Sequence, residues 1–257
     1  MPAPRNPFKA ALARGERQFG CWVGLASPYA AEITGRAGFD WVLVDGEHAP
    51  NDIPTITAQL QALAGLDTHP IVRLPVGETW LIKQVLDAGA QTLLIPIVES
   101  GAQATDLVRA TRYPPQGMRG VGAALARASR FGEIADYVTT ANEEICLLVQ
   151  VETRAGMEAL DDILAVEGVD GVFIGPADLA ADMGHPGNPG APEVQAAIAD
   201  ALGRIKAAGK APGIMSVNDE ATPGHLAAGA QFVAVGIDVT LMAQALRAKA
   251  ARWCDTG

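Results

Sequence analysis

The chain has 257 residues, a formal net charge of −10 and 49% hydrophobic residues, which is the composition of a folded globular protein. Its length suits a single (β/α)₈ barrel with a large core. The acidic excess argues against nucleic acid as a partner, because phosphate binding needs clustered lysine and arginine. No apolar run reaches the ~18 residues of a membrane helix, so no membrane partner is expected.

The start of the chain and its cysteines indicate the compartment. Residues 1–7 lack the apolar core of a secretory signal, so we expect a cytoplasmic protein. The three cysteines, Cys21, Cys146 and Cys254, are far apart and odd in number, as reduced thiols in such a compartment would be.

Eight short apolar runs predict strands. In chain order they cover residues 19–25, 39–44, 70–74, 91–96, 145–151, 170–174, 212–215 and 231–235. Stretches of helical spacing between them include residues 53–63, 79–86, 192–208 and 222–228. Runs that are apolar throughout are typical of parallel strands covered on both faces. Eight such units predict one closed barrel domain over residues 1–257, with an open doubly wound sheet as the alternative.

Local signals refine this outline. Asn51 or Asp52, Ser100 and Asn218 are suited to cap helix N-termini. Residues 113–140 exceed an ordinary connection, and we predict an expanded fourth βα connection with a glycine loop and a short helix. The glycine loop, Gly117 to Gly122, is either an anion cradle or a plain turn. In a barrel the βα loops carry the functional groups.

Polar side chains follow several of the predicted strands directly. Asp45-Gly46-Glu47-His48 follows the second strand, and Arg73 ends the third. Gln150 and Glu152 lie at the end of the fifth, and Asp178 follows the sixth in Gly175-Pro176-Ala177-Asp178. Because strand carboxyl ends meet at one end of a barrel, this recurrence predicts an active site there.

Glu152 and Asp178 are candidate metal ligands. They follow neighbouring strands, and two such carboxylates repel unless a proton or cation lies between them. Magnesium is usually held by one or two carboxylates, with water and substrate completing its shell. The alternative is structural: Glu152 would pair with Arg154, and Asp178 would cap the next helix.

Arg73 and His48 are candidates for substrate binding and proton transfer. A guanidinium at the end of an apolar strand needs an anion, either the substrate or a structural partner such as Asp45 or Glu47. A lone histidine is more often structural, but a neighbouring carboxylate such as Asp45 would raise the basicity of His48. His69, His185 and His225 lie elsewhere in the predicted elements. The few lysines lie in predicted helices or on the wrong face, which disfavours Schiff-base catalysis.

Taken together, the motifs resemble the class II pyruvate aldolases of the 4-hydroxy-2-oxoheptanedioate and 2-dehydro-3-deoxyglucarate aldolase family. The resemblance covers nearly the whole chain. It rests on Asp45-Gly46-Glu47-His48, the strand around Arg73, Tyr113-Pro114-Pro115 with Arg119-Gly120, Gln150-Val151-Glu152-Thr153, Gly175-Pro176-Ala177-Asp178-Leu179 and Gly184-His185-Pro186-Gly187-Asn188-Pro189.

The resemblance implies a barrel of the phosphoenolpyruvate/pyruvate-domain type in a homohexamer, a dimer of trimers with exchanged C-terminal helices. Residues 240–253 would form the exchanged helix. It implies Glu152 and Asp178 as metal ligands, and His48 with Asp45 as the acid/base position. Arg73, Gln150, Gly175, Pro176 and Ala177 would bind substrate, Ala177 through its backbone N–H. Glu47 and Asp87 would support the site, Asp87 that of an adjacent subunit, and residues 122–130 would meet the aldehyde.

The implied activity is reversible, divalent-metal-dependent aldol cleavage of 4-hydroxy-2-oxo acids. The products would be an aldehyde and pyruvate, or a close 2-oxo acid such as hydroxypyruvate, formed through a metal-stabilised enolate in aromatic or sugar-acid catabolism. The metal would be Mg²⁺, Mn²⁺ or Co²⁺, with no organic cofactor. An acyl-CoA ester lyase of the citramalyl-CoA type and a non-catalytic oxo-acid-binding barrel are the alternatives. The sequence names neither the physiological aldehyde nor the preferred metal.

Overall fold

The computed structural model describes residues 1–254 as a closed barrel of eight parallel strands, paired in chain order from β1 to β8 and back to β1. This confirms the predicted barrel and its eight strands. The strands are β1 (Gln18–Val23), β2 (Trp41–Asp45), β3 (His69–Arg73), β4 (Thr92–Ile95), β5 (Cys146–Val151), β6 (Gly171–Ile174), β7 (Ala211–Met215) and β8 (Phe232–Ile237).

Helices surround the barrel. They are α1 (Pro7–Ala13), α2 (Pro28–Gly35), α3 (Ile53–Ala62), α4 (Thr79–Asp87), α5 (Gly101–Thr111), α6 (Tyr137–Glu144), α7 (Arg154–Glu158), α8 (Leu160–Leu164), α9 (Pro176–Asp182), α10 (Pro192–Ala207), α11 (Thr222–Ala228) and α12 (Asp238–Trp253). None of these helices is both long and apolar enough to cross a bilayer.

The strands are apolar throughout because both of their faces are covered. In β2, Val42 and Val44 pack outward against the helices, whereas Trp41 and Leu43 pack inside the barrel. Successive side chains on a strand point to opposite faces, which separates these two sets. Every residue of β2 and of β5 is buried.

The amino-terminal segment closes the end of the barrel where the strands begin. Phe8 stacks on His69 with ring centroids 5.6 Å apart, and His69 Nε2 lies 2.8 Å from Thr92 Oγ1. Asn6 caps α1 and donates to the same Thr92 hydroxyl at 2.9 Å. Burial lowers the pKa of His69 to about 4, so the imidazole is neutral at pH 7. His69 is therefore a core residue on the face away from the candidate site.

Two of the predicted helix caps are confirmed and one is wrong. Asp52 accepts the Thr55 backbone N–H, and Ser100 accepts that of Gln103. Helix α11 instead begins after Ala221 without a side-chain cap. Asn218 lies too far upstream, and its side chain accepts from the Glu220 backbone N–H within the preceding loop.

The prediction of an expanded fourth βα connection is wrong. Only five residues separate β4 from α5, and the long segment 112–136 follows α5 and leads to α6. It is therefore an αβ connection, which returns the chain to the end of the barrel where strands begin. Residues 122–130 lie at that end, where Arg127 donates to the carbonyls of Ala88 and Leu60 near the ends of α4 and α3. Their contact with the aldehyde stays a prediction.

The glycine loop in this segment is a turn packed on α5. The backbone N–H groups of Met118 and Arg119 donate to the carbonyls of Arg109 and Arg112 at 2.8 and 2.9 Å. Those donors are not available to an anion. A side chain on Gly117 would meet the same carbonyl oxygens at 2.3 and 2.4 Å, which explains the glycine.

Candidate active site

The loop after β2 is shaped by a close approach of two strands. The Gly46 backbone N–H donates to the Arg73 carbonyl at 2.8 Å, and a Cβ on Gly46 would lie 2.7 Å from that oxygen. Strand pairing also sets Asp45 directly beside Arg73. Glycine at position 46 thus allows the two strand ends, with their charged side chains, to lie side by side.

Arg73 is buried and bound by two carboxylates. Its Nε and Nη2 donate to the two Asp45 oxygens at 2.8 and 2.7 Å, and Nη1 lies 2.8 Å from Glu47 Oε2. The structural ion pairs considered from the sequence are therefore both present. The Glu47 contact is an ion pair without hydrogen-bond geometry, since Glu47 Oε2 accepts no hydrogen bond. A guanidinium carries five N–H groups, so the two hydrogen bonds to Asp45 leave both on Nη1 and one on Nη2 for another acceptor.

An aromatic ring supports the same guanidinium. The Arg73 Cζ lies 5.2 Å from the centroid of the Trp22 ring, a cation–π contact inside the barrel. Trp22 is itself tilted against Phe173 with centroids 5.4 Å apart. With Asp45 on one side and Trp22 below, the orientation of Arg73 is fixed before any ligand binds.

The carboxyl group of Asp45 is used by Arg73 rather than by His48. Burial acts to raise the Asp45 pKa, but Arg73 and the backbone N–H groups of Glu47 and His48 outweigh it and lower the pKa. Only the backbone nitrogen of His48 approaches Asp45 Oδ1, at 3.5 Å. The sequence predicted that Asp45 orients the His48 imidazole. In the structure the Asp45 carboxylate instead orients Arg73.

Glu152 is a buried carboxylate at the end of β5. Its Oε1 accepts the Ile97 backbone N–H at 3.0 Å, and its Oε2 accepts from the Gln150 amide. Burial raises the pKa of Glu152; these hydrogen bonds and Arg73 oppose that rise, and the charge of Asp178 adds to it. Glu152 makes no ion pair with Arg154, which instead pairs with Asp182 at 3.5 Å.

The turn after β6 lies against Glu152. A Cβ on Gly175 would be 2.6 Å from Glu152 Oε2 and 3.2 Å from Gln150 Nε2, so only glycine lets the turn come this close. Helix α9 begins directly after Gly175, with Asp178 in its first turn and no side-chain cap. The first backbone N–H groups of a helix lack intrahelical acceptors, which leaves that of Ala177 for a ligand.

His48 and Glu47 complete the mouth of the site. His48 is exposed and Glu47 half-buried. Burial raises the pKa of Glu47; Arg73 and His48 oppose the rise, whereas Glu152 and Asp45 add to it. Because the charge of Glu152 acts on the pKa of Glu47, the loop after β2 and the end of β5 lie close enough to interact electrostatically.

Asp87 does not join this cluster. It ends α4, which runs back toward the start of the strands, and it pairs there with buried Arg119 at 2.7 Å. The Arg119 guanidinium also lies 4.4 Å from the Tyr113 ring centroid. Within its own subunit Asp87 is thus a partner of the long αβ segment.

The charges of the cluster suit a divalent cation. Four carboxylates (Asp45, Glu47, Glu152 and Asp178) face one guanidinium (Arg73), an excess of three negative charges. Within residues 1–254 no three His, Cys, Asp or Glu side chains are arranged to enclose a metal. Two carboxylates, Glu152 and Asp178, with open positions for water and substrate fit a magnesium-type site rather than a closed one. The unpartnered Gln150 Oε1 adds a buried acceptor nearby.

Comparison with known proteins identifies the family. Residues 18–245 match the sequence pattern of the HpcH/HpaI aldolase/citrate lyase family. The chain belongs to this family.

Individual family members are similar over nearly their whole length. A hydroxypyruvate/pyruvate aldolase from Roseovarius nubinhibens is 62% identical over 98% of both chains. A 4-hydroxy-2-oxo-heptane-1,7-dioate aldolase from Klebsiella pneumoniae is 57% identical over 96% of this chain and 94% of its own. A crystal structure of a family protein from Burkholderia cenocepacia has a TM-score of 0.93 at 41% identity, covering 96% of this chain and 98% of that one.

In this HpcH/HpaI family member, the packed pair of aromatic rings below Arg73 was not predicted from the sequence. We call these rings, Trp22 and Phe173, the aromatic floor. Trp22 and Phe173 belong to apolar strands, and nothing in their immediate neighbours distinguishes them from other core residues. The available signal was their position, since both lie near the carboxyl ends of strands and face inward. Met215, half-buried at the end of β7, packs against the same interior cluster.

Proposed function

We propose that this chain catalyses reversible aldol cleavage of 4-hydroxy-2-oxo acids to an aldehyde and pyruvate, or a close 2-oxo acid such as hydroxypyruvate. The observation that carries the proposal is the buried, doubly paired Arg73 beside Glu152 and Asp178 at one end of the barrel. The aldolase names of relatives 57–62% identical over almost the whole chain support it. They also favour it over the acyl-CoA ester lyase.

In the proposal, this chain's own residues bind and orient the oxo-acid half. The N–H groups of Arg73 that do not bind Asp45 face the 2-oxo oxygen, where negative charge develops during cleavage. The Ala177 backbone N–H, in the turn with Gly175 and Pro176, holds the carboxylate, and Gln150 fixes Glu152. Glu152 and Asp178 would hold a divalent cation, Mg²⁺, Mn²⁺ or Co²⁺, which when bound supplies Lewis-acid polarisation of the 2-oxo group.

His48 moves the protons, directly or through a water. In cleavage the C4 hydroxyl loses its proton, the C3–C4 bond breaks, and its electron pair stays on the oxo-acid half as an enolate. C3 then gains a proton to give pyruvate. Exposed His48 can exchange that proton with solvent, whereas Asp45 acts by holding Arg73.

The test is the cleavage rate of variants that keep shape but remove charge. We expect Glu152→Gln and Asp178→Asn to retain the fold and lose cleavage by on the order of 10³-fold. Pyruvate release is followed with metal added at several concentrations, and metal binding is measured separately by calorimetry. Glu193→Gln, an exposed acid on α10, is the control. Full cleavage by Glu152→Gln in the presence of excess chelator would contradict the proposal.

We also infer that the chain acts as one catalytic barrel within a homohexamer, a dimer of trimers. Helix α12 is exposed along nearly all its length. Three of its apolar side chains, Leu241, Met242 and Leu246, are 50%, 51% and 59% exposed. A cavity of about 630 Å³ lies where its start meets α2, lined by Tyr29 and Ile33 among others. Exchange of α12 between subunits would cover this apolar surface, and a trimer contact would bring Asp87 to a neighbour's site.

A further inference from the structure

A network of polar side chains ties the end of β7 to the surrounding helices. Ser216, the residue directly after β7, is 3% exposed. Its hydroxyl lies 2.9 Å from His225 Nδ1 and 2.9 Å from Thr222 Oγ1, both on α11. Its backbone N–H donates to the Ala234 carbonyl of β8 at 2.8 Å. We call Ser216, Thr222, His225 and Gln195 the Ser216 network.

The far end of the network, at Gln195, determines which ring nitrogen of His225 carries the proton. Gln195 Nε2 donates to the Pro189 carbonyl at 2.8 Å, so its Oε1 faces His225 Nε2 at 3.3 Å. His225 is buried, which lowers its pKa and keeps the imidazole neutral at pH 7. Nε2 therefore carries the proton, and Nδ1 accepts the proton of the Ser216 hydroxyl.

The residue before Ser216 faces the other side of the strand. Because side chains alternate, an outward Ser216 requires an inward Met215. Met215 is half-buried and packs against the interior cluster that includes Trp22 and Phe173, the aromatic floor below Arg73. Pairing of Ile174 with Ile214 also sets Met215 beside Gly175, the turn that approaches Glu152.

We propose that Ser216 is a positioning residue for the reaction: held by His225 and Thr222, it fixes Met215 as the apolar wall beside C3 of the oxo acid. The inference rests on the proposed function, and it concerns the choice of 2-oxo acid. C3 of pyruvate is a methyl group, which gains from a fixed apolar wall, whereas C3 of hydroxypyruvate is a hydroxymethyl group, which gains less. The network therefore sets the preference between the two.

Two variants remove the hydrogen bond between residues 216 and 225, and one keeps it. Ser216→Ala removes the hydroxyl, and His225→Gln keeps a group near Gln195 but none at the position of Nδ1. His225→Asn places an amide near Nδ1 and gives up the contact with Gln195, so it is the matched control. We expect the first two to raise the KM for pyruvate about tenfold, with KM for hydroxypyruvate and both kcat values within about twofold. His225→Asn should match the parent.

The readout is exchange of C3 protons of each oxo acid in D₂O with Mg²⁺ or Mn²⁺, which gives KM and kcat separately. A second readout needs no activity. The chain has six methionines, so the methyl-¹³C signal of Met215 can be assigned with Met215→Leu. We expect that signal alone to shift or broaden in Ser216→Ala and His225→Gln.

The possible outcomes distinguish failure of the Ser216 inference from failure of the proposed function. An unchanged Met215 signal and unchanged KM ratio in Ser216→Ala would overturn the inference, as would His225→Asn behaving like His225→Gln. An equal fall in kcat for both oxo acids with an unmoved Met215 signal would also overturn it, since it reports general destabilisation. If the parent exchanges no protons, the proposed function fails, and the methyl signal still decides whether Ser216 fixes Met215.

Discussion

At the scale of single residues, the site depends on how the N–H groups of Arg73 are used. Asp45 takes two of them and Glu47 approaches a third, while Trp22 lies under the guanidinium. Such a group cannot rotate to follow a substrate, so its remaining donors have fixed directions. Fixed donors stabilise developing charge without reorganisation, which is why a buried ion pair suits a binding residue here.

A second residue-scale consequence concerns pH and stability. The folded pKa of His69 is about 4, below the value of about 6.5 in an unfolded chain. The unfolded state therefore binds more protons between these pH values, and stability is lost as pH falls from about 6.5 toward 4. Between pH 7 and pH 5, His69 alone should account for about 2 kcal/mol of that loss.

The measurement is urea unfolding of the parent and of His69→Gln at pH 7 and pH 5, at one protein concentration. The variant keeps a polar partner for Thr92 and removes the titration. We expect the loss of stability between the two pH values to be smaller in the variant by about 2 kcal/mol. Equal losses in the two proteins would show that His69 is not buried in its neutral form.

The charged residues of the candidate site could be predicted from the sequence, but their partners could not. Arg73, Glu152 and Asp178 are visible because each interrupts or follows an apolar strand. The pairing of Asp45 with Arg73 depends on the register of β2 and β3, which set these two residues side by side. Trp22 reaches Arg73 across the barrel interior, and no local pattern encodes a contact between residues 51 positions apart in the chain.

At the scale of elements, the turn from β6 into α9 is built around Gly175. A methyl group there would lie 2.6 Å from Glu152 Oε2 and 2.9 Å from Glu152 Cβ. The backbone φ of −94° is ordinary for alanine, so the effect of Gly175→Ala is steric. We expect Glu152 to move, with cleavage reduced by about 10²-fold and metal affinity lowered.

Gly203→Ala is the matched control for Gly175→Ala. Gly203 lies on the exposed face of α10, and nothing lies within 4 Å of a Cβ placed there. Alanine in a helix interior should stabilise the protein by about 0.5–1 kcal/mol and leave cleavage unchanged. Calorimetry of metal binding and cleavage kinetics compare the two. Parent-like kinetics in Gly175→Ala would mean that Glu152 does not need its present position.

At this scale the strands could be predicted from the sequence better than the segments that connect them. All eight strands could be predicted because buried parallel strands are apolar along their whole length. The segment after α5 was misassigned because its glycines and short turns resemble a βα loop wherever it lies. Only the position of α5, which is capped by Ser100 five residues after the end of β4, decides at which end of the barrel the segment lies.

At the scale of the whole molecule, α12 leaves apolar surface that one subunit does not cover. Leu246 is 59% exposed, and Trp253 at the end of the helix is 70% exposed. We expect Leu246→Glu to dissociate the proposed hexamer, because a charge in a packed interface is costly. Sedimentation velocity measures the change, with Arg247→Glu as the control on the same helix. A monomeric parent, or a hexameric Leu246→Glu, would contradict exchange of α12.

The cluster around Arg73 is proposed to turn pyruvate into its enolate. The most direct test of this proposal is exchange of the methyl protons of pyruvate in D₂O, followed by NMR, because no aldehyde has to be chosen. We predict exchange with the parent protein and Mg²⁺ or Mn²⁺, and its loss with excess chelator or with Glu152→Gln. No exchange by the parent with metal bound would contradict the account.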